Sequence, residues 1–299
     1  MRCSSFPFQG LAAAALAAAL AGCSESRTPA ANAQGPALCD PPRQVAILPS
    51  ELVEASGIAV SPTHPGILWV HNDSDRYLYA LDRTGALRAR IRLPGLRPRD
   101  WEDIAAGPCG SGGGSCLYLA DIGDNDHQRT SVAVLRILEP ALTDSVTAEP
   151  ERFAFQYEDG PRDAEAMFLL SGRIYIVSKG RNGPIALYRA PVTLAPQAMV
   201  LQRVRTFTAG LVQIPDQVTG ADATPAGNWV AIRTYTYLDL YRVRGDTLAT
   251  SPAARTPLAA AAEPQGEGVA LDAAGNVFLV SERALGLPAP LSTMSCRLR

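Results

Sequence analysis

The sequence predicts an all-β protein, a single β-propeller of five four-stranded blades. Three observations predict this fold: a short motif recurs in register with a strand pattern, further β-rich segments follow each copy, and one strand near the N-terminus has no unit of its own. The acid-bearing copies of the motif are residues 101–105 (WEDIA), 164–167 (AEAM), 220–223 (GADA) and 266–270 (GEGVA), and residues 56–59 (SGIA) fit the frame without the acid.

Each copy of the motif is followed by turn residues and by more strands. The second strands are predicted at 67–71, 117–121, 174–178, 229–233 and 277–281, third strands at 78–82, 134–138, 185–189 and 238–243, and outer strands at 87–93, 153–157 and 200–207. Four antiparallel strands joined by hairpins describe a propeller blade. The anchors Ser56, Glu102, Glu165, Gly220 and Glu267 give five blades, although six remain open if the interval between Glu102 and Glu165 hides a degenerate one.

The two ends of the chain are expected to close the ring. The last unit ends near Arg299 with three strands, and the strand predicted at 44–48 would pair with it as its outer strand. This pairing would bring Cys39 beside Cys296.

Length and composition allow a large buried core. The chain has 299 residues, of which 47% are hydrophobic and 19% charged. One all-β domain of this size is common. The net charge is -2 without a long run of Lys or Arg, whereas a nucleic-acid surface needs clustered basic residues. We therefore expect no nucleic-acid partner, and we expect a monomer.

The N-terminus has the pattern of an export signal. Residues 11–21 form an Ala- and Leu-rich run that is too short to cross a bilayer as a helix, which takes about 20 residues. Residues 20–23 (LAGC) resemble the lipobox of bacterial lipoproteins, which implies cleavage before Cys23 and acylation of its thiol. The alternative is a plain secretory signal in which Cys23 is incidental. The expected organisation is a lipoprotein signal peptide at 1–22, a flexible tether at 23–38 and the propeller at 39–299.

Acylation would hold the protein on a membrane, because each buried methylene contributes roughly 0.8 kcal/mol. We therefore expect an exported, membrane-anchored lipoprotein that faces the periplasm or resides in the outer membrane if the cell has one. Its expected partners are the membrane, through the lipid, and a ligand or another envelope protein.

The cysteines predict two disulfides of an oxidising compartment. Without the signal and with Cys23 assigned to lipid, an even number remains: Cys39, Cys109, Cys116 and Cys296. Cys109 and Cys116 bracket a glycine-rich loop, so their pairing would restrict the unfolded chain. Cys39 would then pair with Cys296. Zinc is the alternative, but His is scarce and the spacing fits no zinc pattern.

The first strand of each blade lines the channel of a propeller, so equivalent positions form a ring around its axis. Alternating side chains place residues two positions apart on the same side. Two positions after each anchor, the side chains are Ile58, Ile104, Met167, Asp222 and Val269. Asp222 is the one polar residue in this otherwise apolar column. The predicted axial residues are Asp100, Glu102, Asp121, Asp163, Glu165, Lys179, Asp222, Arg233, Glu267 and Glu282.

Clustered carboxylates raise one another's pKa, so a positive charge is expected among them. A divalent cation is one candidate, and oxygen ligands from Glu102, Glu165 and Glu267 would favour calcium or magnesium over zinc. Ion pairs to Lys179 and Arg233 are the other candidate. We favour the ion pairs, because buried acids are usually paired.

The chain resembles a group of exported bacterial propeller lipoproteins over nearly the whole mature sequence. The resemblance rests on residues 101–104 (WEDI), 121–125 (DIGDN), 163–166 (DAEA), 233–235 (RTY) and 265–267 (QGE). It implies the architecture and no activity. More remotely, the ring of acids is similar to that of calcium-dependent gluconolactonase and paraoxonase propellers, whose axial metal polarises a lactone or ester. Those channels mix Asn with acids, whereas Lys179 and Arg233 are present here.

Two functions from different classes follow. The first is a lipid-anchored binding module that presents its acidic axial face to a cationic ligand, a peptide or an envelope partner. The second is a metal-dependent hydrolase of a lactone, ester or phosphoester, in which Glu102 or Glu165 acts as base. Binding is the function that we prefer, and whether the protein is an enzyme stays open, since a propeller implies neither.

Overall fold

The computed structural model describes residues 38–110 and 113–298, so the predicted export signal, Cys23 and all of the predicted tether except Leu38 lie outside the described residues. Within these ranges there are strands, two 3₁₀ turns (Ile214–Asp216 and Ala259–Ala261) and no α-helix. The strands are β1 (Arg43–Ile47), β2 (Ala55–Val60), β3 (Ile67–Asn72), β4 (Tyr77–Asp82), β5 (Leu87–Arg92), β6 (Trp101–Pro108), β7 (Ser115–Asp121), β8 (Val132–Leu138), β9 (Glu151–Tyr157), β10 (Ala164–Leu170), β11 (Arg173–Ser178), β12 (Ala186–Arg189), β13 (Met199–Thr206), β14 (Val218–Ala223), β15 (Trp229–Thr234), β16 (Tyr237–Arg244), β17 (Thr247–Leu248), β18 (Ala254–Pro257), β19 (Gln265–Leu271), β20 (Asn276–Glu282) and β21 (Pro290–Ser295).

Consecutive hairpins build the sheets. Three sheets have the orders β2-β3-β4-β5, β14-β15-β16-β17 with β18 also on β16, and β1-β21-β20-β19. The remaining strands form one sheet of eight, β10-β11-β12-β13-β9-β8-β7-β6. The predicted second and third units therefore share a sheet, because their outer strands β9 and β13 pair in parallel, with Met199 opposite Phe155. This pairing covers two strand edges that separate blades would leave exposed.

The first strands of the units contact one another in a ring. Strand β2 contacts β6 and β19, β6 contacts β10, β10 contacts β14, and β14 contacts β19. A buried apolar cluster lies between each pair of successive units, as between Trp69 and Trp101 or between Phe155 and Tyr188. Both faces of the sheets are thus covered, which is the packing of a β-propeller.

The ends of the domain are joined as predicted. Strand β1 pairs antiparallel with β21, and Arg43 lies opposite Thr293. The predicted disulfides are both present: Cys39–Cys296, with Cα atoms 4.0 Å apart, and Cys109–Cys116, with Cα atoms 4.9 Å apart. The Arg297 N–H also donates to the Leu38 carbonyl at 2.7 Å. The last sheet is therefore completed by the N-terminal strand.

Neighbouring inner strands approach each other backbone to backbone at a glycine near the start of three of these strands. A methyl group on Gly57 would lie 2.8 Å from Ile104 N, one on Gly220 would lie 2.8 Å from Glu267 O, and one on Gly268 would lie 2.9 Å from Ser56 O. These distances leave no room for a side chain. The glycines of the recurring motif are therefore required by the packing around the axis.

Candidate functional site

Each inner strand begins with a β-bulge at its pairing with the next strand. The register shifts between Ala55 and Gly57, and again at the corresponding place in the other four units. A bulge re-aims the side chain of the extra residue away from the regular alternation. The residues at the bulges are Ser56, Glu102, Glu165, Thr219 and Glu267.

The fourth unit corrects the predicted alignment by one residue. Gly220 is paired with Arg233, and the bulged residue is Thr219. Its hydroxyl donates to the Glu267 carbonyl at 3.0 Å, just as the Ser56 hydroxyl donates to the Glu102 carbonyl at 2.9 Å. In the corrected frame Ala221 completes the apolar column of Ile58, Ile104, Met167 and Val269. Asp222 therefore belongs to the next position along the strand.

The same shift removes Arg233 from the predicted axial residues, since a slip of one residue turns a strand side chain to the other face. Its buried guanidinium donates to Gly268 O at 2.8 Å and Val280 O at 3.0 Å, and it forms an ion pair with Glu263. The residue that faces the acids from this unit is Tyr235, whose pKa is raised by burial and by Glu267. Tyr235 belongs to the motif at 233–235 on which the family resemblance rests, but the sequence analysis did not predict it as an axial residue.

A polar cluster lies where the inner strands begin and the second strands end. We call it the axial cluster, and its members are Asp73, Glu102, Glu165, Lys179, Tyr235, Glu267 and Glu282. At its centre Lys179 Nζ lies 2.5 Å from Glu165 Oε1, and both side chains are buried. Burial alone would lower the pKa of Lys179, but Glu165, Tyr235 and Glu102 together outweigh burial and raise it. The lysine therefore remains charged inside the cluster.

The other acids of the axial cluster have raised pKa values. Burial raises the pKa of Glu102 and of Glu267 well above the ordinary value, and Glu165 raises both further. Burial also raises the pKa of Glu282 to about 7, with contributions from Asp73 and Glu54. Lys179 opposes these shifts in each case. One ammonium group is therefore shared among several carboxyls.

A second group of predicted residues lies beside the axial cluster. A methyl group on Gly123 would lie 2.2 Å from Glu102 Oε1 and 2.3 Å from Asp100 Oδ2, so these two carboxyls meet over this glycine. Burial and the neighbouring Asp163 raise the pKa of Asp100. Asp163 Oδ1 accepts the Asp124 N–H at 2.9 Å, while its buried Oδ2 has no hydrogen-bond partner among the described residues. Asp163 thus keeps an acceptor available.

Asp121, by contrast, is neutralised within the fold. The buried Arg129 forms an ion pair with it at 2.9 Å and also donates to Gly123 O at 2.7 Å. The sequence interpretation missed Arg129, because this residue follows the acidic loop rather than a strand. Asp121 therefore supports the loop at 121–125 and is not available to a ligand in the way that Asp163 is.

Two further carboxyls lie deeper and bridge inner strands. Asp103, which the sequence interpretation did not select, accepts N–H groups from Met167 at 2.8 Å, Ile104 at 2.9 Å and Ala221 at 3.2 Å. Asp222 accepts those of Leu271 and Ala223, each at 2.8 Å. Burial raises the pKa of both, although these N–H groups oppose the shift. These acids are parts of the inner ring, and Asp222 lies outside the axial cluster.

The axial cluster does not fit the predicted calcium ion. Among the described residues no group of three or more His, Cys, Asp or Glu side chains is arranged to hold a metal ion. The ammonium of Lys179 sits against Glu165, one of the three predicted ligands. A cation between Glu102, Glu165 and Glu267 would meet this charge at short range, which is unfavourable in a buried site. The predicted ion pair between Lys179 and an axial acid is present. The predicted ion pair of Arg233 with these acids is not, because Arg233 pairs with Glu263.

The raised pKa values predict that the protein loses stability as pH rises from about 5 to 8. Unfolded carboxyls ionise near pH 4, whereas Asp73, Asp222 and Glu282 have pKa values of about 7 in the folded protein. The folded state therefore binds more protons over this interval, and stability falls as they are lost. Urea denaturation at pH 5.5 and pH 8 measures the difference. The double variant Asp73→Asn/Glu282→Gln should flatten the profile, and a higher free energy of unfolding at pH 8 would contradict the prediction.

Comparison with known proteins supports the fold. The sequence matches no protein-family model and no curated protein. The PQQ-bound aldose sugar dehydrogenase from Streptomyces coelicolor aligns over 87% of this chain and 99% of its own, with 13% identity and a TM-score of 0.54. A glucose dehydrogenase aligns over 87% and 100%, with 14% identity and the same TM-score of 0.54. No helix of the described residues is long and apolar enough to span a membrane. At this identity the likeness shows a β-propeller fold, and it does not extend to activity.

Proposed function

We propose that this protein is an exported, lipid-anchored propeller of five blades that binds a cationic ligand through the axial cluster. Five bulged inner strands, each followed by its own hairpin strands, support the blade number. Strand β1 supplies the outer strand of the last unit, in keeping with ring closure. The disulfides are consistent with export, because such bonds persist in oxidising compartments.

The observation that carries the proposed binding function is the imbalance of charge in the axial cluster. Lys179 is the cation that lowers the pKa of Glu102, Glu165, Glu267 and Glu282. Burial raises the pKa of all four carboxyls, and a single ammonium does not offset this shift. A ligand with amine or guanidinium groups would supply the missing charge and would be bound by charge-assisted hydrogen bonds. The unpartnered Asp163 Oδ2 offers such a group an additional acceptor.

Calorimetric titration with spermidine tests this function directly. We expect spermidine to bind the purified protein at pH 8 and low salt, and to bind more weakly at pH 5.5, where more of these carboxyls are protonated. Glu267→Gln should weaken binding about tenfold, which corresponds to about 1.4 kcal/mol. Raising the salt concentration should weaken it further, because ion pairs near a surface are screened.

Glu151→Gln is the matched control for this titration. Glu151 is an exposed acid at the start of the outer strand β9, and its ion pair is with Arg136 at 2.7 Å. Its replacement removes one negative charge and should leave the affinity for spermidine unchanged. If Glu151→Gln and Glu267→Gln weakened spermidine binding equally, the affinity would depend on net charge alone. The proposed binding site at the axial cluster would then be wrong.

Hydrolysis of a lactone, ester or phosphoester is the second candidate function. Its metal ion is not supported, because the ammonium of Lys179 already pairs with Glu165, one of the three predicted ligands. Burial raises the pKa of Glu102 well above its ordinary value, which favours a role as a proton donor. We rank it second, since no nucleophile is positioned beside this carboxyl by a described hydrogen bond. Turnover of such a substrate in the presence of a chelator, lost in Glu102→Gln, would favour it over simple binding.

A further inference from the structure

A cavity of about 760 Å³ opens at the end of the ring opposite the axial cluster. Its wall is formed by the turns that join the first and second strands of all the units, for example Pro62 after β2, Gly172 after β10 and Ala274 after β19. Small-molecule sites typically have volumes of about 300 to 1,000 Å³. The cavity therefore has the size and the central position of a ligand site.

Apolar side chains separate this cavity from the axial cluster. Ile58, Ile104, Met167, Ala221 and Val269 form a column around the axis, and each is at most 1% exposed. Asp103 precedes Ile104 on β6, on the side of the column toward the axial cluster. Its carboxylate accepts hydrogen bonds from three inner-strand N–H groups. A molecule in the cavity would therefore not reach Glu165 or Lys179. The two ends of the ring are independent sites.

The wall of the cavity is largely apolar and carries acidic but no basic side chains. Small residues such as Ala59, Ala106 and Ala223 create the space, and the lining contains no Lys, Arg or His. It contains two acids, Asp222 and Asp272. Asp272 is already engaged by Arg83 at 3.0 Å and by the N–H groups of its own turn.

Asp222 is the acid with capacity left for a ligand. Each of its oxygens accepts one backbone N–H, from Ala223 and from Leu271, at 2.8 Å. A carboxylate has about four lone-pair sites, so each oxygen can accept another donor. A cationic donor would form the strongest hydrogen bond with this carboxylate, since charge-assisted hydrogen bonds are roughly twice as strong as neutral ones.

We propose that this cavity binds a small, largely apolar amine whose ammonium group pairs with Asp222. The apolar body would lie against the alanine, proline and leucine side chains of the wall, where burial stabilises it by roughly 25 cal/mol per Å². The axial cluster favours a different ligand, one with several charges and little apolar surface. The chain would thus bind two cations of different character at opposite ends of one axis.

Calorimetric titration with 2-phenylethylamine tests the proposal, and 2-phenylethanol is the matched probe of similar shape without the charge. We expect the amine to bind at least tenfold more tightly than the alcohol. Asp222→Asn should weaken the amine at least tenfold and leave the alcohol unchanged, because asparagine keeps one acceptor oxygen but no charge. Equal binding of amine and alcohol to the unaltered protein, or binding of neither, would overturn the proposal.

A second variant keeps the test decisive if Asp222→Asn perturbs the ring. Ala106→Phe would fill the cavity and should abolish binding of both probes, whereas Ala253→Phe, at an exposed position outside the wall, should have no effect. Binding that survives Ala106→Phe but is lost in Glu267→Gln would place the amine in the axial cluster and refute the cavity site. Failure of spermidine to bind would not change the expected binding of 2-phenylethylamine in the cavity. The two proposals are therefore tested separately.

Discussion

Replacing Cys39 and Cys296 together with alanine is expected to lower the free energy of unfolding by about 5 kcal/mol. The bond joins residues 257 positions apart, so its loss releases nearly the whole domain in the unfolded state. Strand β1 would then depend on its pairing with β21 alone to complete the last sheet. Chemical denaturation under non-reducing conditions measures the loss.

The second disulfide provides the matched control. Cys109 and Cys116 are 7 positions apart, and a loop of this length predicts a stabilisation of about 2.5 kcal/mol, half of that expected for the long loop. Double replacement of this pair by alanine removes the same number of sulfur atoms. Equal losses for the two double variants would show that loop length is not the determining factor and would contradict the closure argument.

Asp103→Ala is expected to destabilise the protein by about 4 kcal/mol. The substitution removes the acceptor for the N–H groups of Met167, Ile104 and Ala221, which belong to three different inner strands. A buried donor that loses its partner costs about 1 to 3 kcal/mol, and the vacated space at the axis adds a cavity penalty. Urea denaturation at pH 7 gives the difference directly.

Asp103→Asn distinguishes hydrogen bonding from charge. Asparagine has nearly the same shape and keeps one acceptor oxygen, so we expect it to cost less than half of the alanine substitution. Asp222→Ala is a further comparison, because Asp222 accepts only two N–H groups and should cost less than Asp103→Ala. If Asp103→Ala is no more destabilising than Asp222→Ala, the bridging role of Asp103 is wrong.

Much of the fold could be predicted because its signals are local. Alternating apolar residues and turn signals located the outer strands at 87–93, 153–157 and 200–207, close to β5, β9 and β13. The strand at 44–48 corresponds to β1 and pairs with β21. The parallel pairing of β9 with β13 could not be predicted, because it joins the edges of two units and leaves no mark in the period of either strand.

The site was harder to predict because it depends on register. Thr219 replaces Gly220 at the bulge of the fourth unit. The place that the alignment gave to Arg233 belongs to Thr234, so Tyr235 is the residue equivalent to Lys179. Bulges follow from how two strands pair, and neither strand alone specifies where the extra residue falls. Lys179 was anticipated near the acids, but only the structure showed that its partner is Glu165.

The sequence by itself determined the strands, the recurring motif, the two cysteine pairs and the excess of acids near the axis. These features depend on side-chain alternation, turn residues and spacing, which are properties of short segments or of the chain ends. The tertiary structure alone decided which acid pairs with the ammonium of Lys179 and that Arg233 forms its ion pair with Glu263. It also decided that the Asp103 carboxylate accepts N–H groups from three inner strands. Those outcomes depend on distances between residues far apart in the sequence, and a change of one residue in register reverses the direction of a side chain.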